Sequence, residues 1–181
     1  LTFNIGQVIA LVGPNASGKT TLIKCLLGMV IPDGGRILFD GQDIKGDVQY
    51  KRRIGYMPQI GRYPDNMRMG YLFRMMKDLG RTRVKGKFDE ELILAFKLEE
   101  MFGKPLRALS GGTRQKVSAA LAFLFNPDVI ILDEPTAGLD PLASETLKQK
   151  IQKEKESGKL ILITSHIMSE VEEIADYIAY I

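Results

Sequence analysis

The apolar run Val8 to Val12 leads straight into Gly13-Pro14-Asn15-Ala16-Ser17-Gly18-Lys19-Thr20, and helical patterning runs from there to about Gly28. A glycine-bearing loop between a buried strand and a helix is the setting in which this pattern holds phosphate. Its glycines let the backbone bend until successive N–H groups face the ligand. Lys19 brings a cation to the β and γ phosphates, and Thr20 offers a hydroxyl to Mg²⁺. The same unit restricts the fold, because a buried strand feeding a helix is the start of a parallel α/β sheet.

Further elements repeat the alternation. Arg36 to Asp40 and Ile54 to Met57 read as short strands after the turn signal Pro32-Asp33-Gly34-Gly35, and Val129 to Leu132 and Leu160 to Thr164 as buried strands. An amphipathic, charge-rich helix is expected from about Pro141 to Glu156, with proline at its start and Gly158 at its end. Between Gly61 and Phe125 the apolar spacing is helical, in Met67 to Leu79, Phe88 to Met101 and Lys116 to Phe125. The organisation expected is one domain over 1–181, with a core of 1–60 and 126–181 and a helical lobe of 61–125. Both ends read as cut inside strands, Leu1 to Ile5 and Tyr177 to Ile181.

With 181 residues, 45% of them hydrophobic, the chain can bury a sizeable core. Its 25 Lys+Arg against 22 Asp+Glu leave no polybasic footprint for nucleic acid. The basic run Arg81, Arg83, Lys85, Lys87 reads as a solvated loop face. The single cysteine, Cys25, excludes an internal disulfide and reads as a buried helix residue. No apolar stretch approaches the length of a membrane span, and no signal-peptide pattern opens the chain. Met57, Met67, Met69, Met75 and Met76 read as adaptable packing near the start of the lobe, since no Cys or His accompanies them as metal ligands.

Three further constellations carry chemistry. Leu132-Asp133-Glu134 ends an apolar strand, so its carboxylates emerge at the carboxyl edge of a parallel sheet, where ligands bind in open α/β folds. Leu109-Ser110-Gly111-Gly112 opens a helix, which offers a second grip for phosphate far in sequence from the first. His166, the sole histidine, follows the strand ending Thr164-Ser165.

Together with Pro135-Thr136-Ala137-Gly138-Leu139-Asp140, these motifs resemble the ATP-binding cassette (ABC) family over nearly the whole chain. The resemblance implies an α/β fold with a RecA-like P-loop NTPase core, a mostly parallel sheet, a small antiparallel β portion and an inserted helical lobe. It implies ATP and Mg²⁺ as ligands, with Gly13 to Thr20 and Thr21 binding nucleotide. Thr20, Gln59 and Asp133 would serve Mg²⁺, Glu134 the attacking water, and His166 the γ-phosphate. Gln59 would also sense the membrane partner, and Lys19 would assist catalysis. Ser110, Gly111 and Gly112 would meet the nucleotide of a second copy, with Asp140 at the dimer contact.

Two departures stand out. Ala16 replaces the family's usual glycine, which is tolerable if the position does not require positive φ. Thr113 replaces the commoner glutamine of the signature. The family's adenine-stacking aromatic is expected upstream of residue 1, Phe3 being a poor candidate.

The function expected is the ATPase subunit of an ABC membrane transporter, a bacterial exporter. It would be driven by head-to-tail dimerisation and would lie on the inner face of the cell membrane through a permease partner. The segments Ala108 to Val117 and Asp133 to Leu142 resemble exporter ATPases, among them the copper-processing transporter of nitrous-oxide reductase maturation. The alternative is a soluble ABC-type ATPase acting on ribosome or DNA. A chromosome-organising ATPase would separate Lys19 from Asp133 by a long coiled coil, and a translation-associated ATPase would carry a second cassette.

Overall fold

The computed structural model describes residues 1–81 and 87–181, so Arg83 and Lys85 of the basic run lie outside the described residues. Five strands form one parallel sheet: β1 (Val8–Val12), β4 (Ile54–Met57), β5 (Val129–Asp133), β6 (Leu160–Ser165) and β7 (Tyr177–Tyr180), in the order β4-β5-β6-β1-β7. β2 (Leu38–Phe39) and β3 (Gln42–Asp43) make a separate antiparallel hairpin. The fold is thus α/β, with a mostly parallel sheet and a small antiparallel one, as expected.

Side chains alternate across the sheet with the period of two that strand geometry imposes. Val8, Ala10, Val12, Ile130, Leu132, Ile161 and Ile163 face one cluster, and Ile9, Val129, Ile131 and Leu162 face another. The second face is covered by Ile23 and Leu27, from and just beyond α1 (Lys19–Leu26). The first is covered by α4 (Gly111–Phe123) and α5 (Pro141–Glu156), and the same cluster takes in Leu72 and Phe73 of α2 (Met69–Gly80) and Leu92 and Ile93 of α3 (Glu91–Ala95). The helices between β4 and β5 therefore share one apolar cluster with the sheet. α4 lies so close to β4 that a Cβ on Gly55 would come within 2.0 Å of the Ala122 carbonyl oxygen, which reserves the position for glycine.

α5 has the expected bounds for local reasons. Asp140 caps it by accepting from the Ala143 N–H at 2.9 Å, Pro141 occupies its first turn, and Gly158 follows its end with φ of 86°. Three expectations fail. Leu1 to Ile5 is irregular, because the chain turns at Ile5–Gly6 and takes up the sheet only at Val8. The apolar spacing of Phe88 to Met101 does not make one helix: α3 ends at Ala95, Lys97 adopts a left-handed φ of 52°, and Leu98–Met101 restarts as a 3₁₀ turn. Cys25 is only partly buried. α6 (Met168–Val171) has no counterpart in the sequence reading. The five methionines pack as expected, Met57 and Met69 fully buried and Met67, Met75 and Met76 against the same cluster.

A buried ionic node joins α3 to α5. The Lys150 ammonium donates to Asp89 at 2.6 Å, Glu91 at 2.8 Å and Glu154 at 2.6 Å, while Lys159 also reaches Glu154 and Lys153 reaches Glu91. Burial works against the charge on Lys150, yet the three carboxylates hold its pKa above the ordinary lysine value. Burial likewise opposes the charge on Glu154, and hydrogen bonds from Lys150 and Lys159 nonetheless hold it below the usual glutamate value. Three ammonium groups, Lys150, Lys153 and Lys159, thus balance the three carboxylates of Asp89, Glu91 and Glu154.

Candidate active site

Because β4, β5, β6 and β1 are adjacent and parallel, their carboxyl ends share one edge of the sheet. Gln59 follows β4, Asp133 and Glu134 end and follow β5, His166 follows β6, and the loop Gly13–Gly18 follows β1. The register sets Val12 beside Ser165 and Asp133 beside Thr164. Topology thus gathers segments spread over most of the chain.

Lys19 opens α1 and is 7% exposed. Its ammonium donates to the carbonyls of Gly13 at 2.7 Å and Pro14 at 2.9 Å, and no carboxylate pairs with it among the described residues. A buried cation held only by neutral carbonyls retains its attraction for an anion. Pro14, Asn15 and Ala16 are exposed, Ser17 and Gly18 partly so, and Thr20 and Thr21 are exposed in the first helical turn.

Ala16 has a φ of 67°, in the left-handed region. The condition under which alanine would be harmless is therefore not met, and the loop carries strain of about 1–2 kcal/mol at this residue. Ala16→Gly is expected to stabilise the protein by about 0.5–1 kcal/mol, the relief being partly offset by the greater freedom of glycine in the unfolded chain. A rise in thermal midpoint checks this, and an unchanged or lower midpoint contradicts it.

Asp133 continues the odd-numbered face of β5, the face that α1 covers. One of its oxygens accepts from the Thr164 hydroxyl at 2.5 Å, and the other takes no hydrogen bond from the described residues. Glu134 is buried, and its carboxylate meets Nδ1 of the half-exposed His166 at 2.9 Å. Its backbone has the left-handed φ of 52°, which is unusual for glutamate. That conformation is held from both ends: the Glu134 N–H donates to the carbonyl and hydroxyl of Thr164, and the Glu134 carbonyl accepts from the Gln115 side chain at 3.2 Å. Sequence reasoning passed over Thr164 and Gln115. The signal for Thr164 was a polar residue following four apolar ones in a buried strand; nothing local marked Gln115.

Ser110 caps α4, accepting from the Thr113 N–H at 3.2 Å, and its hydroxyl lies 2.8 Å from that of Thr113. Thr113 thus supports the serine at the position where glutamine is commoner. Ser110 and Gly111 are exposed; Gly112 fits against the Gly138 carbonyl, which a Cβ would approach to 2.7 Å. None of the three is hydrogen-bonded to the phosphate loop among the described residues. Asp140, besides capping α5, pairs with Lys116 of α4 at 2.6 Å; that hydrogen bond and the one from Ala143 hold its pKa below the usual aspartate value. Gln59 is exposed on the bend after β4, with no hydrogen bond to Asp133, Glu134 or His166 among the described residues. Phe3 is packed against the apolar cluster that contains Ile9 and Ile23, occupied by the core rather than free to stack on a ligand.

The chain is similar to known proteins in both sequence and fold. The family model described as ABC transporter matches residues 1–137. The chain is 37% identical over 191 residues to the Nod factor export ATP-binding protein I of Ralstonia nicotianae, covering 100% of this chain and 58% of the relative. It is 35% identical over 188 residues to the ABC transporter ATP-binding protein NatA of Bacillus subtilis, covering 100% and 75%. The chain spans about half to three-fifths of the length of several of these curated relatives. A solved ATP-binding subunit of an ABC transporter superposes with a TM-score of 0.91 at 28% identity, over 100% of this chain and 77% of that one. A nucleotide-free ATP-binding cassette shares the fold with a TM-score of 0.79 at 24% identity. No helix of the described residues is long and apolar enough to cross a membrane. The chain belongs to the ABC transporter family.

Proposed function

We propose that the protein hydrolyses MgATP at composite sites between two copies of this domain and thereby powers a membrane exporter through a permease partner, from the cytoplasmic face. One observation carries the reading. Lys19 is a buried ammonium with only carbonyl partners, in a loop whose neighbouring strands deliver a hydrogen-bonded Glu134–His166 pair to the same sheet edge. The loop Gly13 to Thr21 binds the phosphates, with Lys19 opposite the β and γ groups. Thr20, Asp133 and Gln59 fit Mg²⁺: hard oxygen donors suit this cation, and Asp133 has one carboxylate oxygen free of hydrogen bonds from the described residues. Held by these residues, Mg²⁺ would supply positive charge against the charge that develops on the phosphates.

Glu134 orients the attacking water and accepts its proton. The water oxygen bonds to the γ-phosphorus as the bond to the β–γ bridging oxygen breaks, and ADP leaves. His166, held by Glu134, reaches the γ-phosphate. Ser110, Gly111 and Gly112 of one copy grip the nucleotide of the other, beside Asp140. We assign the core to 1–60 and 126–181 and the lobe to 61–125. The exporter assignment is supported by the named role of the Ralstonia relative.

The test uses the full-length protein with two variants. Lys19→Ala is expected to weaken ATP binding at least about tenfold, the value of a charge-assisted hydrogen bond. Ser110→Arg is expected to leave single-copy nucleotide affinity near wild type while abolishing ATP-dependent dimerisation in light scattering. Undiminished affinity in the first would overturn the phosphate-loop assignment; a persistent ATP-dependent dimer in the second would overturn the composite site.

A further inference from the structure

We infer that Gln115 is a positioning residue for hydrolysis, linking the helix that begins at Ser110 to the left-handed backbone of Glu134 and so setting where that carboxylate points. This rests on the catalytic reading of Glu134 given above.

Gln115 is polar yet only 6% exposed, on a helix whose other buried positions are Val117, Ser118, Ala119, Ala120, Ala122 and Phe123. A buried amide is costly unless its hydrogen bonds are made. Among the described residues, its Nε2 donates to the carbonyl of Glu134 at 3.2 Å. That carbonyl belongs to a residue with φ of 52°, a conformation that persists in a side-chain-bearing residue only when its surroundings hold it. Thr164 fixes the N–H end of Glu134 from β6, and Gln115 fixes the carbonyl end from α4. With both ends held, the carboxylate is directed to Nδ1 of His166 at 2.9 Å. If the carbonyl end is released, the residue can relax toward negative φ, which redirects the side chain.

The connection has a second property. α4 is one continuous helix from Gly111 to Phe123, and its exposed N-terminus is the surface proposed to meet the partner's nucleotide. Gln115 lies in its second turn. A shift of that helix on engagement of the partner's phosphate reaches the Glu134 carbonyl through one hydrogen bond, without passing through the phosphate loop. Engagement of one composite site is thereby coupled to the alignment of the base in the other.

The test is Gln115→Met, which keeps side-chain length and removes the donor, in the full-length protein, alone and combined with Glu134→Gln. Gln115→Glu, of the same shape but with an acceptor facing the carbonyl, serves as the second variant should methionine fail to fold. Misplacement of a reacting group can cost up to about 100-fold, so kcat is expected to fall about 10- to 100-fold with ATP affinity within twofold of wild type. In the Glu134→Gln background, with residual hydrolysis followed over hours on radiolabelled ATP, the same change should subtract less than threefold, because the group it aims is already disabled.

A kcat within twofold of wild type in the single variants overturns the inference. So does a fall in kcat and affinity together that recurs undiminished in the Glu134→Gln background, since that is what disturbed helix packing would do. If Glu134→Gln alone turns over at the wild-type rate, the catalytic reading fails first and this inference with it.

Discussion

Glu134→Gln is expected to lower ATP turnover by about 10²- to 10⁴-fold, the range typical of general-base assistance, while leaving nucleotide affinity nearly unchanged. The amide keeps the size of the side chain and its contact with His166 Nδ1, but it cannot accept a proton from water as the carboxylate does. The ATP-bound dimer should therefore accumulate. Asp133→Asn should behave differently. It leaves a neutral acceptor where Thr164 donates, so the local fold persists, but it removes the charge available to Mg²⁺, and Mg²⁺-dependent nucleotide affinity should fall. Measuring turnover and dimer fraction for both variants separates the roles. Wild-type turnover in Glu134→Gln would make that residue structural.

Lys150→Met is expected to destabilise the protein by about 3–5 kcal/mol, because removing one partner of a buried ion cluster leaves the others uncompensated. The value should lie toward the low end, since Glu154 keeps Lys159 and Glu91 keeps Lys153. Even so it is a large part of the 5–15 kcal/mol that a domain commonly has. The loss should depend on pH in a definite sense. Glu154 and Glu91 have folded pKa values below their ordinary ones, so their contribution is complete above the unfolded value and lost as pH falls through the folded one. Lys150 is raised, so its contribution is complete below its ordinary value and lost only as pH rises through the higher one. The gap between wild type and variant should be widest between about pH 5 and 10 and shrink in acid. Urea melts at pH 7 and pH 3 would show it; an equal gap at both would mean that the node contributes through packing alone.

Where a boundary is set by chemistry within a few residues, it was legible in the sequence. α5 begins at Pro141 because Asp140 caps it and ends near Gly158, and both signals are local. β1 and β5 are continuous apolar runs, and the phosphate loop lies between strand and helix as its pattern demands. The break at Lys97 was not legible: apolar spacing continues across it, and no glycine or proline marks the left-handed turn. Sheet order was also out of reach, since β1 takes its neighbours from the far end of the chain. Residues of the candidate site were found as separate motifs, but their joints were not. Thr164 bonds to Asp133, Gln115 to Glu134 and Lys150 to Asp89 across 31, 19 and 61 residues, where no periodicity operates.

The strand order has a consequence for how the molecule comes into being. Among the described residues, β1 pairs with β6 and β7, both made long after it, while β4 pairs with β5. During synthesis, at roughly 5–20 residues per second, β1 therefore waits many seconds for a neighbour. Until Leu160–Ser165 leaves the ribosome, the strand that leads into the phosphate loop lacks its β6 and β7 neighbours. The sheet edge that carries the nucleotide grip is consequently completed only once β6 has been made. A ribosome stalled before β6 would hold a chain whose most apolar early segment stays open to chaperones and to other nascent chains.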